Sequence, residues 1–264
     1  MRENKIRLML NNKKPTTCSR IWSTWPFFIE AMGATGNFDY VEFVAEYAPY
    51  SQIDLENMAR AAELHNMGSM IKVDFMNRGF VAQKAVASGF QAILFTDHET
   101  ADEIRESIRM LKPNTPQDRG MYGTPYRRFI GGHPRLQQSE HAQRLRDTVI
   151  AFMIENETAM NNIEEICSIE GVDMLQFGPT DYSLSVGWNR SERTEDLKAI
   201  ERKMIGAALK HGKHPRCEIK KPTDAQYYID LGVRHFSLGD EYDVLNQFWQ
   251  NDGAKIRSIA DGLK

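Results

Sequence analysis

The sequence predicts an α/β fold of the (β/α)8 barrel kind. Three observations carry that expectation. About eight apolar, β-rich runs alternate with helical patterns, most helices end in a glycine before the next run, and 264 residues suit one such barrel. Strands separated by helices of this length require parallel crossovers, and eight units favour a closed barrel over an open doubly wound sheet. No GxGxxG follows an early strand and no GxxxxGKS/T occurs, which argues against dinucleotide or P-loop chemistry. No compositional break divides the chain, so a single domain over residues 1–264 is expected.

The elements follow in order. Residues 17–25 form the first candidate strand, with a short helix through 28–34. Residues 38–47 (FDYVEFVAEY) are β-branched and aromatic after a Gly-Asn turn. In 53–66, Ile53, Leu55, Met58, Ala61, Ala62 and Leu64 fall near helical spacing, and Gly68 stops the helix. Residues 70–75 read as a strand, 81–89 as a helix closed by glycine, and 91–98 as a strand. Residues 100–112 carry a Thr N-cap, acids in the first turn and a terminal lysine, as the helix dipole favours.

A Pro/Gly-rich stretch at about 113–138 breaks the rhythm and reads as a long functional loop. Strands are then expected at 148–155, 172–178, 216–220 and 233–239. Helices are expected at 157–171, 194–212, 223–232 and 244–263.

Composition narrows the function. The chain is 41% hydrophobic and 26% charged, with net charge −3, which excludes a disordered chain and general electrostatic binding to nucleic acid or acidic membranes. No apolar run is long enough for a membrane span, and the first residues lack a secretory signal. The cysteines, Cys18, Cys167 and Cys217, match no metal or disulfide spacing; they are expected to be buried in a reducing, cytoplasmic protein.

Barrel active sites lie at the C-terminal strand ends. There the sequence places Glu46 and Tyr47, Lys72 and Asp74, Asp97 and His98, Glu155 and Asn156, Asp181, Glu218 and Lys220, and Gly239, Asp240 and Glu241. Glu155 and Asp181 close adjacent strands. Two such carboxylates suit a hard divalent cation, Mg2+ or Mn2+; equally, they suit a solvated pair capping helices.

The segments FDYVEFVAEYAP, FMIENETAM, IEGVD (169–173) and FGPTDYSLSVG, with RGMYG (119–123) in the long loop, resemble the HpcH/HpaI aldolases. These are class II pyruvate aldolases of the phosphoenolpyruvate/pyruvate barrel superfamily. The similarity runs from about Ser19 to the C-terminus. It implies a barrel with a swapped C-terminal helix and a homo-oligomer, a hexamer built as a trimer of dimers. It implies a divalent metal held by Glu155 and Asp181, and a 2-oxo acid whose carboxylate is received by the turn Gly178, Pro179, Thr180. The implied reaction makes or breaks a carbon–carbon bond between a pyruvate-type enolate and an aldehyde.

The chain departs from the family pattern at its acid/base dyad. Tyr47 stands at the histidine position and Ala87 at the aspartate position. Met153 replaces a glutamine, and Lys72 replaces an arginine that steadies the enolate oxygen. Lysine keeps the charge but loses the bidentate fork. Tyrosine is a poor base at neutral pH unless the metal or Lys72 lowers its pKa; it suits an acid better. The departures leave open a carboligase using a ketone or thioester acceptor. They also leave open a barrel that has lost catalysis and binds a ligand or partner protein.

Other side chains have weaker claims. His98 beside Asp97 would replace the histidine or cap a helix. His133, His141, Arg127, Arg128 and Arg135 on the long loop would meet an anion or face solvent. Trp22 and Trp25 would line the mouth or pack the core, the core being the favoured expectation. His211 and His214 are assigned no chemistry.

Overall fold

Apolar residues crowd the strands because a parallel sheet covered by helices is buried on both faces. In the computed structural model, which describes residues 3–128 and 136–263, β3 (Gly68–Val73) and β5 (Val149–Ile154) are buried at every position. With β1 (Thr16–Ile21), β2 (Tyr40–Val44), β4 (Ala92–Phe95), β6 (Met174–Phe177), β7 (His214–Ile219) and β8 (His235–Asp240), they close a parallel barrel in sequence order. Closure is made by β1 on β8, where the register shifts between Cys18 and Arg20.

The period of two along each strand divides the core. Cys18, Tyr40, Met70, Leu94, Ala151 and Met174 point into the barrel. Phe43, Ile71, Ile93, Phe152, Leu175 and Cys217 point out and pack under the helices. The outer layer holds α2 (Pro26–Ala34), α3 (Gln52–Leu64), α4 (Arg78–Ser88), α5 (Ala101–Leu111) and α6 (Gln138–Arg146). It continues with α7 (Glu157–Asn161), α8 (Ile163–Ser168), α9 (Pro179–Ser185), α10 (Thr194–Lys210), α11 (Ala225–Asp230) and α12 (Glu241–Asp261). Capping boxes start α3 (Ser51 with Asp54) and α5 (Thr100 with Glu103). Gly89 ends α4 at φ +114°, a conformation that glycine takes without a Cβ clash.

Three features depart from expectation, one being the short helix α9, which follows β6 directly after Gly178. A helix not foreseen, α1 (Lys5–Asn11), closes the barrel's lower end with Ile6 and Leu10, both buried. Its Arg7 grips Asp173 through two hydrogen bonds of 2.7 and 2.6 Å. The helix expected over 157–171 breaks at Asn162 into α7 and α8. The side-chain amide of Asn162 donates to the Glu99 carbonyl at 3.3 Å. The three cysteines are buried and unbridged. Among the described residues, no helix is long and apolar enough to cross a membrane.

Inside the barrel, polar groups climb towards the mouth. The Arg216 side chain is fully buried; it donates to the Tyr40 hydroxyl at 2.8 Å and also to Glu42 and Gln176. Gln176 in turn donates to Glu218 at 2.7 Å. Arg20 then joins Glu218 (2.6 Å) to Asp240 (3.1 Å), and Asp240 caps α12. The ion pair with Glu42 and the hydrogen bonds to Tyr40 and Gln176 are what make a buried guanidinium tolerable there.

Candidate active site

A cavity of about 590 Å³ opens at the C-terminal ends of the strands. Over the barrel axis it is lined by Arg20, Val44, Lys72, Met153, Asp181 and Glu218. The same cavity is also lined by Phe177 and Ile219, the last residues of β6 and β7, by Leu197 and Glu201 of α10 and by Tyr228 of α11. Of the residues expected at the site, Tyr47, Lys72, Pro179, Thr180 and Asp181 line this one cavity.

Glu155 follows the last residue of β5 and is 2% exposed. Its Oε1 accepts the Asp97 backbone N–H at 2.8 Å. Asp97 reaches that pose with φ +59°, an uncommon left-handed backbone that aspartate adopts more readily than most residues. The other oxygen, Oε2, is buried without a hydrogen-bond partner. It faces Gly178, the residue before α9, where an added Cβ would stand 2.6 Å from it. Burial pushes the Glu155 carboxyl up to about 8, although Lys72 opposes the rise. Asp181 sits in the first turn of α9, three residues beyond Gly178, and faces the cavity. An orphaned carboxylate oxygen, a glycine that leaves it room and a second acid in the same turn fit a hard divalent cation. Among the described residues no group of three His, Cys, Asp or Glu side chains forms a ready ligand set, so water and substrate oxygens would complete the coordination.

Lys72 lies beside this pair and is ion-paired with Glu46; both side chains are over nine-tenths buried. Burial lowers the Lys72 ammonium, but the carboxylates of Glu46 and Glu155 outweigh it and hold it above its ordinary value. The ammonium also sits 5.1 Å from the centre of the Tyr47 ring. Trp22 stacks on the far side of Tyr47, with centroids 5.9 Å apart. Burial raises the Tyr47 phenol further than Lys72 lowers it, so this hydroxyl holds its proton. That direction favours Tyr47 as a donor of a proton or hydrogen bond.

The remaining candidates fall elsewhere. His98 is 1% exposed and enclosed by Phe75, Phe95 and Phe152. Its Nδ1–H donates to the Thr96 carbonyl at 2.7 Å and its Nε2 accepts from Ser107, whose hydroxyl is oriented by Arg78. It is a structural residue. Arg127 and Arg128 are tied to α3 by Glu56 and Glu63, away from the mouth. His141 is buried beside Tyr126, and His133 and Arg135 lie outside the described residues. Trp22 lines the cavity and Trp25 is 58% exposed, so neither joins the core. Ala87 lines a separate surface recess with Gln52, Glu56 and Arg127; an acid there would not reach this chain's own cavity.

Sequence reasoning placed Glu46 at a strand end without a role and passed over Arg20, Arg190 and Glu201. Barrel closure brings Arg20, Arg190 and Glu201 to one cavity, and Glu46 reaches it through its ion pair with Lys72, which no local pattern signals.

Comparison with known proteins bears on the family and the fold. Residues 34–216 match the HpcH/HpaI aldolase/citrate lyase family. A 5-keto-4-deoxy-D-glucarate aldolase of Klebsiella pneumoniae subsp. pneumoniae is 24% identical over 239 residues, 90% of this chain and 88% of that protein. A 4-hydroxy-2-oxo-heptane-1,7-dioate aldolase of Escherichia coli is 22% identical over 263 residues, 99% and 98% of the two chains. Among solved structures, an HpcH/HpaI aldolase from Desulfitobacterium hafniense DCB-2 superposes with TM-score 0.84 at 18% identity, covering 97% of each chain.

Proposed function

The chain belongs to the HpcH/HpaI aldolase/citrate lyase family and is an aldolase/lyase-type enzyme, and from that premise we propose a divalent-metal-dependent carbon–carbon lyase of 2-oxo acids. It joins a pyruvate-type enolate to an aldehyde, or releases both from the aldol product. The buried, unpartnered Oε2 of Glu155 facing Gly178, with Asp181 one turn on, carries this reading.

Glu155 and Asp181 are the residues that would hold Mg2+ or Mn2+. When bound, the cation supplies Lewis-acid polarisation of the 2-oxo group. At the turn Gly178, Pro179, Thr180 the substrate carboxylate is received by the backbone N–H groups of Thr180 and Asp181 in the first turn of α9, since the Gly178 N–H is donated to the Ile154 carbonyl and Pro179 has none. Lys72, held by Glu46, places its positive charge where the 2-oxo oxygen gains negative charge. Tyr47 presents a protonated hydroxyl at the rim and can donate to the oxygen of the aldehyde as the new bond forms. Trp22 restricts the Tyr47 ring by stacking.

The decisive experiment is exchange of the pyruvate C3 protons in deuterium oxide with Mn2+ or Mg2+, followed by a panel of aldehydes. Exchange and aldol turnover that both disappear in Asp181→Ala support the proposal. Exchange without turnover on any aldehyde favours a ketone or thioester acceptor, which the Tyr47 substitution at the dyad motivates. No exchange at all, with metal binding unchanged in Glu155→Ala and Asp181→Ala, overturns it in favour of a binding protein.

A further inference from the structure

The proposed reaction needs the Tyr47 hydroxyl at a fixed place, yet Tyr47 lies beyond the end of β2 and is 56% exposed. Glu46 and Lys72 act on its hydroxyl, and its ring stacks on Trp22. Trp22 follows β1 and belongs to no strand or helix itself. Whatever holds Trp22 therefore decides how firmly the Tyr47 ring is held.

The holder comes from the far end of the chain. β1 pairs with β8 to close the barrel, which sets Arg20 opposite Asp240. Asp240 caps α12 and takes Arg20 as an ion pair at 3.1 Å. Glu241, the first residue of α12, reaches across the same seam. Its Oε1 accepts the backbone N–H of Trp22 at 2.6 Å and that of Ser23 at 2.7 Å. Neither N–H has another acceptor among the described residues. Two successive N–H groups converging on one anionic oxygen form a nest, and bonds of this charge-assisted kind are short and strong. An acid at the start of a helix also suits the helix dipole, but that role needs no contact with another element's loop.

We propose that Glu241 is a positioning residue of the active site: by holding the Trp22–Ser23 backbone it sets the Trp22 indole against Tyr47, and so aims the Tyr47 hydroxyl. The proposal rests on the reading of Tyr47 as a proton donor and adds the group that keeps the donor in place.

The test uses the full chain with Mn2+, pyruvate and an aldehyde that it turns over. Glu241→Ala is expected to lower aldol kcat about tenfold and to leave the KM for pyruvate within about threefold, because a misplaced donor costs rate rather than binding. Pyruvate C3 proton exchange, which needs no aldehyde, should stay within about twofold. Glu241→Gln keeps the reach and an acceptor oxygen and should remain near native. Glu241→Asp keeps the charge at the helix start but is one methylene short, and should resemble Glu241→Ala. The reverse order, with Asp better than Gln, is that of a helix-dipole role and overturns the proposal. In a Tyr47→Phe background Glu241→Ala should cost no more than about twofold. A full tenfold loss there, or exchange falling together with turnover, also overturns it.

Near-ultraviolet dichroism reads the stacking without turnover. The signal lost in Trp22→Phe should be lost in Glu241→Ala and Glu241→Asp and kept in Glu241→Gln, with native far-ultraviolet spectra. Survival of that signal in Glu241→Ala overturns the proposal. If Glu241→Ala does not fold, the comparison of Glu241→Asp with Glu241→Gln decides. Should the native protein turn over no aldehyde, the reading of Tyr47 has failed on its own account, and the dichroism alone decides whether Glu241 seats Trp22.

Discussion

Gly178 lies so close to Glu155 that a β-carbon at position 178 would stand 2.6 Å from Oε2 and 2.7 Å from the Glu155 Cβ. The glycine is thus part of the carboxylate's seat. Gly178→Ala is expected to displace Glu155 or the turn before α9 and to weaken Mn2+ binding at least tenfold, while far-ultraviolet dichroism stays native. Isothermal titration checks this, and unchanged affinity would show that Glu155 does not serve the cation.

Lys72 and Glu46 neutralise one another in a site where either alone would be a buried charge. Removing one partner of such a pair costs about 3–5 kcal/mol, whereas replacing both with apolar groups is often neutral. Lys72→Met should therefore lower stability by that order in urea unfolding, and the double variant Lys72→Met/Glu46→Met should regain most of it. Proton exchange on pyruvate should stay depressed in both. Recovery of exchange in the double variant would assign Lys72 a purely structural role.

His98 is held neutral, its pKa lowered to about 4 chiefly by burial, with Arg78 adding to the fall and Glu103 opposing it. A histidine whose folded pKa lies below its unfolded value near 6.5 takes up its proton more readily in the unfolded chain. Its contribution is whole above about pH 6.5 and is lost as pH falls towards about 4, up to roughly 3 kcal/mol. Stability of the native protein should decline more steeply over that window than stability of His98→Gln. Parallel pH profiles would count against a neutral buried imidazole.

Much of this architecture was legible because most strands are short apolar runs and the helices carry caps and glycine stops, which are local signals. The positions of Glu155 just beyond β5 and of Asp181 shortly beyond β6 were legible because strand ends can be read from the apolar runs that precede them. The α1 plug was not: Ile6 and Leu10 form no amphipathic run, and their burial depends on the open floor of a finished barrel. Nor was the Asn162 break, since that amide bonds a carbonyl on the neighbouring strand-to-helix loop. Arg216 reads as an ordinary strand arginine until closure sets Tyr40 and Glu42 against it. Trp22, for which the core was favoured over the mouth, lines the cavity and stacks there on Tyr47.

The C-terminal helix α12 runs 21 residues with none buried, and it leaves Phe248 and Trp249 each 60% exposed along with Ile256 and Ile259. Apolar surface of that extent on one helix is costly in water and calls for a partner. A second copy of the chain, receiving the helix by exchange, fits the homo-oligomer implied by the family resemblance. Phe248→Glu/Trp249→Glu should reduce the mass in light scattering from that of a hexamer to that of smaller species. The barrel itself should persist, because α12 meets it mainly through β8 and β1 near its first turn. A native protein that runs as a monomer at micromolar concentration, with or without the substitutions, would rule out the exchange.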